Sequence, residues 1–218
     1  MTTVDRPLRK DAERNRQRIL DAARELFAER GVGVTLNDVA HHAGVGVGTV
    51  YRRFPDKVQL IEELFEQRVE QLVGLMEDAL EDPDPWHGLT RFLRRMLEFQ
   101  ASDRAFRELV LGSAQGLERV SQVRARMLPL GSELVRRAQE VGRLRPDFRA
   151  QDVPILLLML TTIIDSARDV DPELWRRYLA IVIDGLRADS GTPLPLPVPP
   201  LASEDVDRVM SSWKLPRR

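Results

Sequence analysis

The 218-residue chain has no cysteine, only three histidines and an aromatic content of 6%. Without cysteine there is no disulfide, no thiolate metal ligand and no cysteine nucleophile, which fits a reducing compartment. The histidines are His41, His42 and His87. Neighbours on a helix point apart, so His41 and His42 suit a surface role rather than a shared metal, and His87 suits local capping. No Gly-rich phosphate loop follows a strand pattern and no nucleophile elbow is present, so nothing assembles a catalytic set. The expectation is a binding protein, not an enzyme, with no metal or other cofactor.

Long apolar runs are missing too. The longest, Val153 to Ile164, is shorter than the roughly 18 residues a membrane span needs and includes Pro154. Met1 to Lys10 has no apolar core of the kind a secretory signal carries. A cytoplasmic protein without a membrane partner is expected, and at about 150 residues per domain the length allows one domain or one and a half.

Charge is balanced in total, 33 Lys/Arg against 34 Asp/Glu, and unbalanced along the chain. Residues 1–57 hold 11 basic against 8 acidic groups, a net +3, and the remainder 22 against 26, a net −4. A basic head on an acidic body is a small but directional sign of a polyanion-binding head.

What is present is helical periodicity. Within Asp11 to Arg30, the positions Ile19, Leu20, Ala23, Leu26 and Phe27 share one helix face, and Gly31 closes the segment. Thr35 with Asp38 forms a capping-box pattern opening a short helix with Leu36, Val39, Ala40 and Ala43 inward. Gly44 supplies a turn, a second short helix turns Val50 and Phe54 inward, and Pro55 stops it. Asp56 with Gln59 opens a longer helix. Beyond Glu81 the pattern stays helical, punctuated at Asp82 to Pro85, Pro129 to Gly131, Gly142 to Pro146 and Asp169 to Pro172. No alternating strand pattern occurs, so the predicted fold is all-α. Val153 to Ala167 is apolar nearly all round, and Leu174 to Leu186 carries a wide apolar stripe. Both need cover from core or from a second chain. From Ser190 a Pro-rich strap begins, after which Ser203 opens a short helix with Val206, Val209, Met210 and Trp213 on one face.

Two short helices joined by a Gly turn and preceded by a third form a helix-turn-helix, whose second helix fits the DNA major groove. Its outward face would carry Val47, Gly48, Thr49, Arg52 and Arg53. Small residues permit close approach, methyl groups can touch thymine methyls and Arg52 can pair with guanine. Tyr51, Arg53 and Lys57 sit where they could reach phosphates.

The run Thr35-Leu-Asn-Asp-Val-Ala-His-His-Ala-Gly-Val-Gly-Val-Gly-Thr-Val-Tyr-Arg-Arg-Phe-Pro-Asp-Lys57 resembles the amino-terminal signature of tetracycline-repressor-like (TetR family) regulators. The resemblance spans about Arg18 to Leu64. It implies an all-α fold with a three-helix DNA-binding head and a larger helical body that binds a small effector and dimerises through its last two long helices. By the same resemblance Thr35, Thr49, Tyr51 and Lys57 are backbone contacts, and Val47, Gly48 and Arg52 are base-proximal. The chain departs from the pattern in two places: Gly46 and Val47 replace residues that are often polar, and Arg53 stands where a histidine is common.

These readings define three segments: residues 1–57 as the DNA-binding head with a short basic arm, 58–189 as the effector-binding and dimerisation body, and 190–218 as the Pro-rich strap with a short helix. In the arm, Arg6, Arg9, Lys10 and Arg14 read as a solvated tail in preference to a groove-reaching element. Met96, Phe99, Phe106 and Met127 line either an effector cavity or ordinary core, with Arg95, Gln100 and Gln115 as polar candidates among them. Leu157, Leu158, Thr161, Ile164, Asp165, Trp175, Tyr178, Leu179 and Val182 are assigned to a face shared between core and dimer interface. The expected protein is a homodimeric, effector-responsive transcriptional regulator, a repressor by preference, that binds an inverted-repeat operator and sits at the nucleoid when DNA-bound. The alternatives are a helical ligand carrier and a sequence-independent architectural DNA-binding protein.

Overall fold

The computed structural model describes residues 5–102, 114–188 and 195–212, and within them the side chains of all but 5–10, Val32, 114–121 and 211–212. Among the described residues there are nine α-helices and no strand: α1 (Asp5–Arg30), α2 (Leu36–Ala43), α3 (Val47–Arg53), α4 (Lys57–Leu80), α5 (Pro85–Ser102), α6 (Ala114–Glu140), α7 (Asp152–Ala167), α8 (Leu174–Leu186) and α9 (Ser203–Ser212). No helix among them is long and apolar enough to cross a membrane. The described residues up to Glu70 form one compact unit and those from Gln71 form another, so α4 contributes to both.

Two helices differ from the sequence expectation. Helix α1 begins at Asp5 rather than Asp11. Pro7 falls in its first turn, where a missing N–H costs nothing, and the Arg, Lys, Ala and Glu that follow are strong helix formers. Helix α6 runs through Pro129 to Glu140 instead of breaking there. Met127, Leu128 and Leu130 around the proline pack on the body core, and tertiary burial outweighs the lost backbone bond.

In the first unit, Ile19, Leu20, Ala23, Leu26 and Phe27 of α1 meet Leu36, Val39 and Ala40 of α2, Val50 of α3, Phe54, and Leu60 and Leu64 of α4. In the second, Met76 and Ala79 of α4, Phe92, Leu93 and Leu97 of α5, Leu134 and Ala138 of α6, Leu157 and Leu160 of α7, and Trp175 and Leu179 of α8 share one core. Arg145 N–H donates to the Leu186 carbonyl at 2.9 Å and Ala188 N–H to the Arg143 carbonyl at 3.0 Å, tying the loop after α6 to the end of α8. The Leu196 N–H reaches Asp147 Oδ2 at 3.2 Å. Paired with Arg145 and bonded by that N–H, the Asp147 carboxyl is held down to about 2. Helix α9 opens on the Ala202 carbonyl rather than on a Ser203 cap. It buries Val206, leaves Val209 exposed, and pairs Asp207 with Arg124 of α6. Trp213 lies outside the described residues.

The end of α4 is pinned inside the second unit. Asp82, buried among few other polar residues, accepts from His87 Nδ1 at 2.8 Å and lies 3.2 Å from Arg91, and these partners hold its carboxyl below the ordinary range. His87 thus serves the α4–α5 turn. Arg137 of α6 donates to the Leu80 and Asp82 carbonyls, satisfying groups that a helix C-terminus leaves open. Helix α5 approaches so closely that a Cβ at Gly88 would press into the Ala79 carbonyl oxygen, well inside contact distance. Gly88→Ala should therefore destabilise the protein by about 1–3 kcal/mol despite alanine's better helix propensity. Urea unfolding measures this, and an unchanged or raised midpoint would contradict the close approach.

Candidate nucleic-acid interface

Helix α2 starts where the sequence places a cap. Thr35 is extended (φ −100°, ψ 163°), its Oγ1 accepts from the Asp38 N–H at 3.2 Å, and its own N–H donates to Asp38 Oδ2 at 2.8 Å. Both halves of the capping box are formed. The hydroxyl and N–H of Thr35 favour the ionised carboxylate, so the Asp38 pKa lies below 3.8.

Helix α2 ends at Gly44 with φ 62° and ψ 38°, the left-handed conformation that glycine adopts at little cost. Its N–H returns to the α2 carbonyls, and from α1 the Arg18 guanidinium donates to the Ala43 carbonyl at 2.7 Å and the Gly44 carbonyl at 3.4 Å. A cation at a helix C-terminus is electrostatically favoured. Arg18 therefore braces the turn that aims α3. Sequence reasoning did not single it out, because its partners are backbone carbonyls, which leave no residue-type signal. Glu25 of α1 adds a 2.7 Å contact to His42 Nε2, which gives His42 a bracing place on α2.

Helix α3 is held from below by Val50, fully buried, and by buried Phe54 just beyond it. Val47 (37% exposed), Gly48, Tyr51 (45% exposed) and Arg52 lie outward at helical spacing, with Arg53 exposed beside them and Thr49 half-buried. Gly46 provides no side-chain cap, and Thr49 N–H instead donates to the Gly46 carbonyl at 2.8 Å. At the start of α4, Asp56 Oδ1 accepts from the Gln59 N–H at 2.8 Å, and the Lys57 ammonium sits 5.5 Å from the Phe27 ring centre. Val58 is 61% exposed next to it, an apolar neighbour of Lys57 that the sequence pattern did not mark.

The other candidate residues that the structure describes lie in the second unit. Met96 and Met127 lean on the body core, Phe99 is half-buried and Arg95 is exposed. Gln100 accepts a hydrogen bond from Thr161 Oγ1, joining α5 to α7 inside the protomer. Phe106 lies outside the described residues, as does the side chain of Gln115. Of the residues expected at a dimer face, Leu157, Thr161, Ile164, Trp175 and Leu179 are buried within their own chain, whereas Leu158, Asp165 and Val182 are half-buried and Tyr178 is exposed. The reason is that one side of α7 and α8 covers the shared core. The more exposed sides carry Met159, Thr162 and Ser166 on α7 and Arg177, Tyr178, Ile181 and Gly185 on α8, with half-buried Ile155, Leu158, Leu174 and Val182 beside them, each set at one-face helical spacing. Met159 (52% exposed) and Ile181 (56% exposed) are the large apolar members that the sequence assignment omitted.

No group of three or more potential metal ligands occurs among the described residues. Two family models match the chain. That of bacterial regulatory proteins of the tetR family matches residues 19–64, and that of the SbtR-like transcriptional regulator C-terminal domain matches residues 84–188. A TetR transcription regulatory protein from Mycobacterium vanbaalenii is similar in structure, with 32% identity, a TM-score of 0.65, and coverage of 83% of this chain and 99% of that one. The HTH-type transcriptional repressor BepR of Brucella suis is 27% identical over 202 residues, 84% of this chain and 97% of BepR. A complex of SmeT with triclosan matches with 25% identity, a TM-score of 0.58, and coverage of 84% of this chain and 99% of that one. SmeT is the repressor of a multidrug efflux pump in Stenotrophomonas maltophilia.

The cap at Thr35 makes a pH-linked prediction. With its folded-state pKa lowered, Asp38 contributes stability that is fully present above its ordinary value and is lost as pH falls through the lowered one. Thr35→Ala should raise the Asp38 pKa toward its ordinary value, read by NMR titration of the carboxyl, and lower the urea midpoint at neutral pH. An Asp38 titration unchanged by the substitution would count against the capping box as the cause.

Proposed function

Because the chain belongs to the TetR family of bacterial transcription regulators, we propose that it is a homodimeric, effector-responsive repressor that reads an inverted-repeat operator through α3. The observation that carries the DNA reading is the exposed face of α3, with Val47, Gly48, Tyr51 and Arg52 turned away from the core in which Val50 and Phe54 are buried. Val47 and Gly48 open the helix with little bulk, so its first turn can lie against base edges, where Arg52 supplies a guanine-pairing fork. Thr35, Thr49, Tyr51, Arg53 and Lys57 act on the phosphates and set register rather than sequence.

Two heads related by a two-fold axis meet half-sites about 34 Å apart, one DNA turn. The partner chain covers the uncovered stripes of α7 and α8, with Met159, Tyr178 and Ile181 at the centre. A small effector enters the body, and the polar candidates inside it are the Gln100–Thr161 pair and, separately, the Trp175 indole N–H, which is buried without a partner. A mostly apolar interior with a few placed polar groups suits an apolar molecule bearing a hydrogen-bond acceptor. The similar protein SmeT has been solved in complex with triclosan. Effector binding favours a head spacing that no longer fits the operator, and the DNA-competent population falls. The protein works in the cytoplasm, at the nucleoid when bound, and without catalysis.

Footprinting on genomic fragments tests the whole reading: a protected palindrome supports it, uniform coverage favours an architectural protein and no protection a ligand carrier. At residue level, Lys57→Ala should weaken binding to every sequence and reduce the salt slope by about 1, whereas Arg52→Ala should cost about 1–3 kcal/mol at one base pair. Equal, sequence-blind losses would remove that division. Met159→Glu combined with Ile181→Glu should convert the two-chain species to one in sedimentation while leaving the fold intact by circular dichroism, and a persistent dimer would move the interface elsewhere.

A further inference from the structure

One arginine of the body is drawn out of water, and the anion that meets it comes from a helix outside the matched body segment. Arg124 lies on α6 one turn before Met127 and Leu128, which lean on the body core, and its side chain is 19% exposed. Burial lowers its pKa from the ordinary arginine value. A guanidinium in such a place is stabilised by an anion at hand. Asp207 of α9 supplies the carboxylate, and α9 lies past residue 188, where the matched segment ends. The other two acids of α9 are placed differently: Glu204 is exposed, and Asp205 pairs with Arg208 of the same helix at 2.8 Å.

Helix α9 turns Val206, Asp207 and Met210 toward the body, at i, i+1 and i+4, with Val206 buried and Met210 half-buried. It packs on α7 as well as pairing with α6, and α5 packs on both α6 and α7, so α9 closes the fourth side of a ring of helices. Its hold there is slight. Ten residues are too few for a helix to persist alone in water, so α9 stands only by what it touches. Val206 is the one buried side chain among those described in it, and residues 195–202 before it are exposed, tied by the Leu196 N–H to Asp147 Oδ2 at 3.2 Å. What α9 presents to the body is a short hydrocarbon surface with a carboxylate beside it, which is the chemistry of an apolar acid. We propose that α9 is an internal occupant of a ligand site for an apolar monocarboxylate, with Arg124 as the anchor for the carboxylate. The strip from Val206 to Met210 is about 6 Å long, so the acid that replaces it carries a short or medium chain. Acid and helix exclude each other, and the docked helix lowers the apparent affinity by the fraction of time it holds the site. The consequence at the operator, that this acid is the effector, rests on the effector-responsive reading above.

The full-length protein is titrated calorimetrically with straight-chain carboxylates from butyrate to decanoate, beside the alcohols of the same lengths. An acid of the series should bind saturably where its alcohol does not, and should speed backbone hydrogen exchange in residues 203–210 as α9 is displaced. Asp207→Asn removes the internal carboxylate and should bind that acid about threefold or more tightly than the wild type does. Arg124→Gln should bind it about tenfold or more weakly, the worth of a hydrogen bond to a charged group, and Arg124→Lys, which keeps the charge, should recover part of the affinity. A helix that merely braces the body would lose stability in Asp207→Asn and gain no affinity. The site is overturned by a series in which no acid binds either the wild type or Asp207→Asn, by equal affinities in Arg124→Gln and the wild type, or by binding that leaves exchange in 203–210 unchanged. None of these measurements contains DNA, so their failure leaves the regulator reading standing. A protein that binds the acid and protects no operator keeps the site and removes the regulator.

Discussion

The outward face of α3 depends on one left-handed residue. Gly44 turns the chain from α2 into α3 with a positive φ, and everything α3 presents follows from the angle set there. The turn is not left to glycine alone. Arg18 reaches from α1 to the carbonyls around it, so the third helix fixes the relation of the other two. A long cation has a double use in that place: it satisfies acceptors that a helix C-terminus exposes, and it joins elements far apart in sequence.

Below the turn, burial and exposure divide α3 cleanly. Val50 and Phe54 anchor it in an apolar core, which makes the outward residues free of structural duty and available for contact. The body solves a different problem. Its α7 is apolar on nearly every side, and the single chain covers only part of it, leaving matched stripes on α7 and α8. Polar groups inside this region are few, and the bond from Thr161 to Gln100 shows how a buried hydroxyl is tolerated when it finds an acceptor.

Helix α4 is the element common to both units, beginning at Lys57 and ending among Asp82, His87, Arg91 and Arg137. The clamp at its end satisfies the last carbonyls of α4 and lets α5 approach at Gly88. His87, one of three histidines in a chain with little catalytic equipment, has its place in this clamp.

Local signals were legible in the sequence because local physics decides them. The capping box at Thr35, the turn at Gly44, the inward faces of α1 to α3 and the absence of strands among the described residues all follow from patterns a few residues long. The family resemblance drew on the same stretch. Non-local balance decided the rest. Whether Pro129 breaks a helix, whether Thr161 faces a partner or its own core, and what Arg18 holds depend on neighbours tens of residues away. The charge asymmetry, by contrast, is legible in the sequence alone, as a net +3 in residues 1–57 against −4 in the remainder. Composition by itself set the absence of cysteine and the scarcity of histidine. Tertiary structure decided which surfaces remain open, because exposure is a property of packing and not of residue type.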